Sequence, residues 1–89
     1  MDELKIDVVV VNESGFHART AAQIAKLAQQ ANSGIWIIKD GEKVDASSII
    51  DILTLACGKG CRVTFTVENQ SDATILYNIV KLVESGFGE

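Results

Sequence analysis

The chain has 89 residues, 47% of them hydrophobic, which suits one small globular domain spanning residues 1–89. Twelve acidic residues outnumber eight basic ones and give a formal net charge of −4. Without a cluster of lysine or arginine, this charge argues against a nucleic-acid or anionic-membrane partner. The charged start and the absence of about 20 consecutive apolar residues predict neither a signal peptide nor a membrane span, so we expect a cytoplasmic protein.

Two cysteines, Cys57 and Cys61, flank the sequence Gly58-Lys-Gly60. No further cysteine or nearby histidine is available to complete a tetrahedral zinc site, so we expect no bound metal and no cofactor. A reducing compartment favours free thiols over a disulfide or a redox pair. The expectation is therefore two reduced cysteines.

Hydrophobic periodicity predicts the order βαββαβα. The predicted elements are a strand at 4–11, a helix from Ala18 to about Ala31, strands at 35–39 and 42–45, a helix at 47–55, a strand at 62–68, and a helix that opens at Ser71-Asp72 and closes at Gly86.

Asp40-Gly41 is a strong type I′ hairpin signal, and Ser47 or Asp45 is placed to cap the second helix. The last strand alternates between apolar and polar residues, with Thr66 among those facing solvent. Three helices on the other sheet face give an α+β two-layer domain.

The second helix carries more apolar surface than one sheet contact requires. At about 100° per residue, its apolar side chains cover an arc of roughly 220°; they are Ile49, Ile50, Ile52, Leu53 and Leu55. Either some of these side chains face a partner, or the helix is buried more deeply than its pattern indicates.

His17 is the only histidine, and it lies where the first strand gives way to a helix. A lone histidine is most often structural. As the N-cap residue, however, it would stand beside the amides of Ala18, Arg19 and Thr20, which have no intrahelical acceptor. These amides and the helix dipole bind anions such as phosphate and favour a neutral, nucleophilic imidazole. Because Arg19 adds a planar cation able to contact phosphoryl oxygens, the segment indicates phosphoryl chemistry at His17.

The segment Gly15-Phe-His-Ala-Arg19 resembles the G-L-H-A-R-P segment of the HPr family, the histidine-containing phosphocarriers of the bacterial phosphoenolpyruvate-dependent phosphotransferase system. Residues 47–55 resemble the family's second signature, K-S-I-M-G-V-M-x-L, with Ser48 at its regulatory serine. Gly58-Lys-Gly60 matches the glycine-rich turn that follows. The resemblance spans the chain and implies an open-faced β-sandwich, with a four-stranded antiparallel sheet and three helices on one face.

By this resemblance, His17 would accept a phosphoryl group on Nδ1 from phosphorylated enzyme I and pass it to a histidine of a sugar-specific enzyme IIA domain. Arg19 would stabilise the phosphoryl group, and an HPr kinase/phosphorylase would modify Ser48. The protein would be a monomeric phosphoryl-group carrier rather than a free-standing enzyme. The expected docking surface for its partners comprises Phe16, Thr20, Ile49, Ile50 and Leu53.

Three positions depart from the family pattern: Thr20 replaces proline, Ser47 replaces lysine and Asp51 replaces glycine. Threonine gives up some rigidity but adds a hydroxyl near the phosphate, so we expect transfer to survive at an altered rate. The more acidic second helix leaves the choice of partner open. The alternatives are an HPr-like regulatory module of a nitrogen-related or other phosphotransfer chain, a module that signals through Ser48 or its apolar surface without catalysis, and a small ligand-binding domain.

Overall fold

The computed structural model describes residues 4–89, in which four strands and three main helices follow the predicted order. The strands are β1 (Leu4–Val9), β2 (Ile35–Lys39), β3 (Glu42–Asp45) and β4 (Arg62–Val67), and the helices are α1 (Ala18–Ala28), α2 (Ile49–Thr54) and α3 (Ala73–Glu84). Short 3-10 segments, Gln70–Asp72 and Gly86–Gly88, flank α3. No helix within residues 4–89 is both long and apolar enough to cross a membrane.

The strands form one antiparallel sheet in the order β1-β4-β2-β3. Because β1 and β2 both pair with β4, Phe65 lies in register between Ile6 and Ile37. The inward side chains of β4 are fully or almost fully buried, as are those on the apolar stripes of α1 and α3; they include Val63, Phe65, Val67, Ile24, Leu76, Ile79 and Val83. The core therefore lies between one sheet face and the helices, which confirms the predicted open-faced sandwich.

The opposite sheet face is less open than the sequence pattern indicates. Strand alternation predicts a solvated Thr66, but this residue is fully buried. Lys5 and Trp36 lie directly across from it on the two neighbouring strands, where long side chains flank a short one on the same face. The ammonium group of Lys43 lies 5.0 Å from the ring centroid of Trp36. The prediction for Thr66 is wrong because it considers one strand without its neighbours.

The helix α2 begins at Ile49, and its N-cap is Ser48. Oγ of Ser48 accepts a hydrogen bond from the amide of Asp51 at 3.2 Å. The residues predicted as caps bind each other instead, since Oδ1 of Asp45 accepts hydrogen bonds from the amide and the hydroxyl of Ser47 at 2.8 and 2.7 Å. The cap prediction is therefore wrong, and Ser48 has a structural role.

The end of α1 and the start of α3 are joined by one buried carboxylate. The helix α1 ends earlier than predicted, because the amide of Ala31 donates to the carbonyl of Ala28 in a tighter turn. The following amides, of Asn32 and Ser33, donate to the two carboxylate oxygens of Asp72 at 2.8 and 2.9 Å. Asp72 is almost fully buried, so its carboxylate holds this turn rather than capping α3.

Cys57 and Cys61 are joined by a disulfide, so the prediction of two reduced thiols is wrong. That prediction considered the compartment and not the local geometry. The turn between α2 and β4 brings the two Cα atoms to 5.7 Å, a spacing typical of bridged cysteines. The bridge closes residues 57–61 into a turn, which we call the bridged turn.

The turn that precedes α1 packs directly against the bridged turn. Gly15 has a φ of +61°, and a Cβ placed there would lie 2.6 Å from Cα of Gly58 and closer still to the carbonyl oxygen of Cys57. The amide of Phe16 donates a hydrogen bond to that carbonyl at 2.8 Å. Only glycine satisfies both the backbone conformation and the available space. The placement of residue 17 therefore depends on this contact.

Replacing Gly15 with alanine should lower the free energy of unfolding by about 3 kcal/mol or more, because backbone overlap adds to the cost of a left-handed conformation. Gly41→Ala is the matched control, since Gly41 has a φ of +82° but no atom beyond its chain neighbours lies within 4 Å of the position that an added methyl group would take. It should lose only about 1–2 kcal/mol. Urea unfolding followed by circular dichroism measures both values, and equal losses would contradict a special role for close packing at Gly15.

Candidate functional site

His17 is the N-cap residue of α1, as the sequence predicts, with extended backbone angles of φ −120° and ψ −177°. Its carbonyl accepts the first helical hydrogen bond, from the amide of Ala21, at 2.8 Å. The amides of Ala18, Arg19 and Thr20 precede that bond and lie at the positive end of the helix dipole. One third of the imidazole surface is exposed, so a partner can reach the ring.

Thr20 organises the start of α1 from inside the protein. Its Oγ1 accepts a hydrogen bond from the amide of His17 and donates one to the carbonyl of Gly15, each at 3.0 Å. The hydroxyl therefore serves the backbone and not a phosphate, contrary to expectation. Because Thr20 is fully buried, its predicted role as a docking residue is also wrong. Hydrogen bonding at Thr20 takes the place of the rigid ring that proline would supply.

Glu89 completes the site through its side-chain carboxylate. Its Oε2 lies 3.3 Å from Nε2 of His17 and forms an ion pair with Nη2 of Arg19. Its Oε1 accepts a hydrogen bond from Nδ2 of Asn12 at 3.3 Å. The same amide group of Asn12 donates to the carbonyl of Gly15 at 2.9 Å. An imidazole, a guanidinium and an amide thus converge on one carboxylate.

Two aromatic rings bring the end of the sequence to this site. Phe16 and Phe87 pack edge to face with their ring centroids 6.0 Å apart, and both are almost fully buried. The contact connects the residue before His17 with the segment that carries Glu89. The prediction that Phe16 docks partners is wrong, because its ring contributes to the core and leaves little surface for contact.

Asn12 and Glu89 are site residues that the sequence analysis missed. The turn-forming composition of residues 12–15 was a signal for Asn12, since asparagine side chains often bind the backbone of such turns. Glu89 lies 72 residues from His17 along the chain, and no local pattern connects the two. Only the packing of α3 and the following segment brings it close.

The contact between His17 and Glu89 distinguishes the two ring nitrogens. In the tautomer that donates from Nε2 to the carboxylate, Nδ1 carries the free lone pair. A nucleophilic nitrogen, an exposed guanidinium and the N–H groups of a helix start then lie within a few residues of one another. This arrangement can accept a phosphoryl group and bind its oxygens.

The environment of Glu89 favours its ionised form. Partial burial acts in the opposite direction, but hydrogen bonds from His17 and Asn12, together with the charge and hydrogen bond of Arg19, hold the pKa of this carboxyl below its ordinary value of 4.5. Glu89 is therefore an anion bound at the start of α1.

A separate apolar surface lies on α2. Ile49, Ile50 and Leu53 are 39%, 75% and 38% exposed, and we call these three residues the α2 patch. Ile52 and Leu55, on the other side of the helix, are buried in the core. The wide apolar arc is thus divided between core and surface, as predicted. Because α2 packs against α1, the patch and His17 belong to neighbouring helices.

The contacts of Glu89 should weaken as the pH falls through its lowered pKa, because protonation removes the charge that His17 and Arg19 bind. The stabilisation they contribute is present above the ordinary carboxyl pKa and is lost in acid. A carbon-13 NMR titration of the Glu89 carboxyl should give a midpoint below 4.5. Protonation of Glu89 should also change the NMR signals of the His17 ring. Glu89→Gln should abolish that change. A midpoint at or above 4.5 would contradict the observed contacts.

The family described as "PTS HPr component phosphorylation site" matches residues 4–85. Phosphocarrier protein HPr of Cupriavidus necator is 31% identical over 86 residues, which cover 97% of each chain. Phosphocarrier protein NPr of Shewanella violacea is 33% identical over 100% of this chain and 98% of its own. The crystal structure of HPr-C-His from Thermoanaerobacter tengcongensis is 37% identical, with a TM-score of 0.87 over 100% of this chain and 98% of that one. This chain therefore belongs to the HPr family of phosphocarriers of the phosphotransferase system.

Proposed function

We propose that His17 is the phosphoryl acceptor of this phosphocarrier, taking the group from phosphorylated enzyme I and passing it to a histidine of an enzyme IIA domain. The observation that carries the proposal is the Glu89 carboxylate, which lies 3.3 Å from the imidazole and forms an ion pair with Arg19. A phosphoryl group is likewise an anion, and it offers similar acceptor oxygens. Groups that bind one anion so directly are suited to bind the other.

Transfer begins at Nδ1, the nitrogen that the Glu89 contact leaves with its lone pair. This nitrogen attacks the phosphorus of the donor phosphohistidine, a new N–P bond forms, and the donor imidazole leaves with the electrons of the broken N–P bond. The phosphoryl oxygens then accept hydrogen bonds from the amides at the start of α1 and from Arg19. The Glu89 carboxylate must withdraw, because two anions compete for one guanidinium. Transfer to the enzyme IIA domain repeats these steps with the roles reversed.

Partner docking is assigned to the α2 patch. Large exposed aliphatic side chains on a short helix provide the apolar centre that a protein interface requires. The proposed carrier acts as a monomer in the cytoplasm and meets its partners in turn through this surface.

Ser48 is proposed as a regulatory site for an HPr kinase/phosphorylase. Its hydroxyl already caps α2 through the amide of Asp51, and the α2 patch begins at the next residue. A phosphate on this hydroxyl would add negative charge at the edge of the patch and close to the Asp51 carboxylate. Modification would therefore weaken the binding of a partner suited to the unmodified surface.

An HPr-like regulatory module of a nitrogen-related or other phosphotransfer chain is the second candidate. Asp51 favours it, because this carboxylate stands in the first turn of α2, directly after Ile50 of the α2 patch. A basic residue on the partner would complement this charge, so charge matching selects the partner. Rates of transfer from each enzyme I homologue of the same organism distinguish the two candidates. The cognate donor should be faster by about tenfold or more.

Replacing Arg19 with lysine should slow phosphoryl transfer by about tenfold, because a point charge replaces a planar fork that contacts two oxygens at once. The fold should be unaffected, since 59% of the Arg19 side chain is exposed. Rapid-quench measurement of transfer from phosphorylated enzyme I gives the rate. In the same assay His17→Ala should form no acid-labile phosphoryl adduct. Persistence of that adduct in His17→Ala would refute the proposed acceptor, and an unchanged rate in Arg19→Lys would remove Arg19 from the mechanism.

Replacing Ile50 with glutamate should weaken the binding of enzyme I by about tenfold or more, because a charge would be buried at the most exposed position of the α2 patch. Stability should change little, since Ile50 is 75% exposed. Tyr77→Glu is the matched control, because Tyr77 is an exposed apolar residue on α3, outside the patch. Isothermal titration calorimetry measures both affinities. Equal affinities for the two variants would argue against docking through α2.

A further inference from the structure

The bridged turn holds the backbone that leads to His17. Three backbone hydrogen bonds of 2.7–2.8 Å join it to residues 10–16: Val10 donates to Cys61, Gly60 donates to Val10, and Phe16 donates to Cys57. Gly15 lies in direct contact with the Cys57 carbonyl. Both ends of the segment before the histidine are thus attached to a turn that a disulfide closes.

The backbone enters this turn from α2 through a residue in the left-handed conformation. Ala56, which precedes the bridge, has a φ of +50°, a left-handed conformation that a residue with a Cβ rarely adopts. Its neighbour Cys57 supplies the carbonyl that positions Phe16. The amide of Ala56 donates to the carbonyl of Leu53 at 3.1 Å, so this conformation ends α2 and directs the chain into the bridged turn.

The two sulfur-bearing residues differ in accessibility. Cys57 is 2% exposed and belongs to the core, whereas Cys61 is partly exposed. A thiolate in solution can therefore approach the sulfur of Cys61 and not that of Cys57. This asymmetry defines which sulfur is attacked and which one leaves.

We infer that Cys57 and Cys61 form a reversible thiol–disulfide site whose reactant is a dithiol, and that its redox state controls the positioning of His17. The consequence for phosphoryl transfer rests on the function proposed above. In a reducing compartment, the disulfides that do form are mostly transient, catalytic or redox-sensing. A bridge adjoining the candidate site suits the last of these roles.

The exchange is balanced in two steps. A thiolate of the dithiol attacks Sγ of Cys61, forming a mixed disulfide there, and Cys57 leaves as a thiolate that takes up a proton. The second thiol of the reductant, as its thiolate, then attacks the reductant sulfur that is bonded to Cys61. This step releases Cys61 as a thiolate, which also takes up a proton. Two electrons and two protons pass to the protein, and the dithiol becomes a cyclic disulfide. The reverse sequence, driven by an oxidised dithiol, restores the bridge.

Reduction removes the covalent closure of the turn. Cys57 is then held by noncovalent contacts alone, and its carbonyl binds the Phe16 amide for a smaller fraction of the time. His17, the next residue, samples more orientations, so fewer encounters with a partner bring Nδ1 into line with phosphorus. The bridged form is the faster carrier.

The test compares the bridged protein with the protein reduced by dithiothreitol, with the state of the cysteines verified by alkylation and mass spectrometry. Reduction should shift the amide NMR signals of Phe16 and His17 and lower the rate of transfer from phosphorylated enzyme I by about threefold or more. Oxidised dithiothreitol should reverse both changes. Unchanged amide signals in the reduced protein, equal transfer rates in the two forms, or a bridge that dithiothreitol does not open in the folded protein would overturn the inference.

Two variants separate the bridge from other effects on the turn. Cys61→Ser, at the partly exposed position, should resemble the reduced protein and ignore the reductant. Lys59→Ala removes an exposed ion pair between this turn and Glu13 but keeps both cysteines, so it should keep the full response to reductant. A response to reductant in Cys61→Ser would overturn the inference. Absence of phosphoryl uptake in both redox forms would instead refute the proposed function, while the amide signals would still decide whether reduction moves His17.

Discussion

The candidate site depends on the contact between two turns, one before α1 and one between α2 and β4. Gly15 lies against the carbonyl of Cys57, and the Phe16 amide binds the same carbonyl, so the chain enters α1 at a fixed place. The hydroxyl of Thr20 then binds both the Gly15 carbonyl and the His17 amide. The histidine is held through its backbone, which leaves its side chain exposed for chemistry.

This support separates rigidity from reactivity. Phe16, Thr20 and Gly15 are buried and fix the position of the backbone, whereas the imidazole and the guanidinium extend from it toward solvent. A carrier that must meet more than one partner benefits from this division, because the reacting side chains can change orientation while the backbone that carries them stays fixed. The α2 patch follows the same principle, with Ile52 anchored in the core and Ile50 exposed.

The sequence was sufficient to predict features that depend on neighbouring residues. The hairpin at Asp40-Gly41, the N-cap position of His17 and the divided apolar arc of α2 all follow from local spacing and turn chemistry. Features that depend on distant segments could not be predicted in this way. To predict the burial of Thr66, one must know which two strands lie beside it. To predict the disulfide, one must know the path of the turn between α2 and β4. Glu89 reaches the site only after α3 has packed.

The carboxylate of Glu89 also bears on how strongly the site can retain an anion. Any ligand that binds Arg19 and His17 must first displace a group already tethered to the same chain, so its apparent affinity is lowered by the fraction of time the site is occupied. Inorganic phosphate in solution meets this competition without any compensating contact. A partner protein gains the contacts of its own interface and can overcome it. Under the function proposed above, Glu89 would therefore favour phosphate presented by a protein over phosphate free in solution.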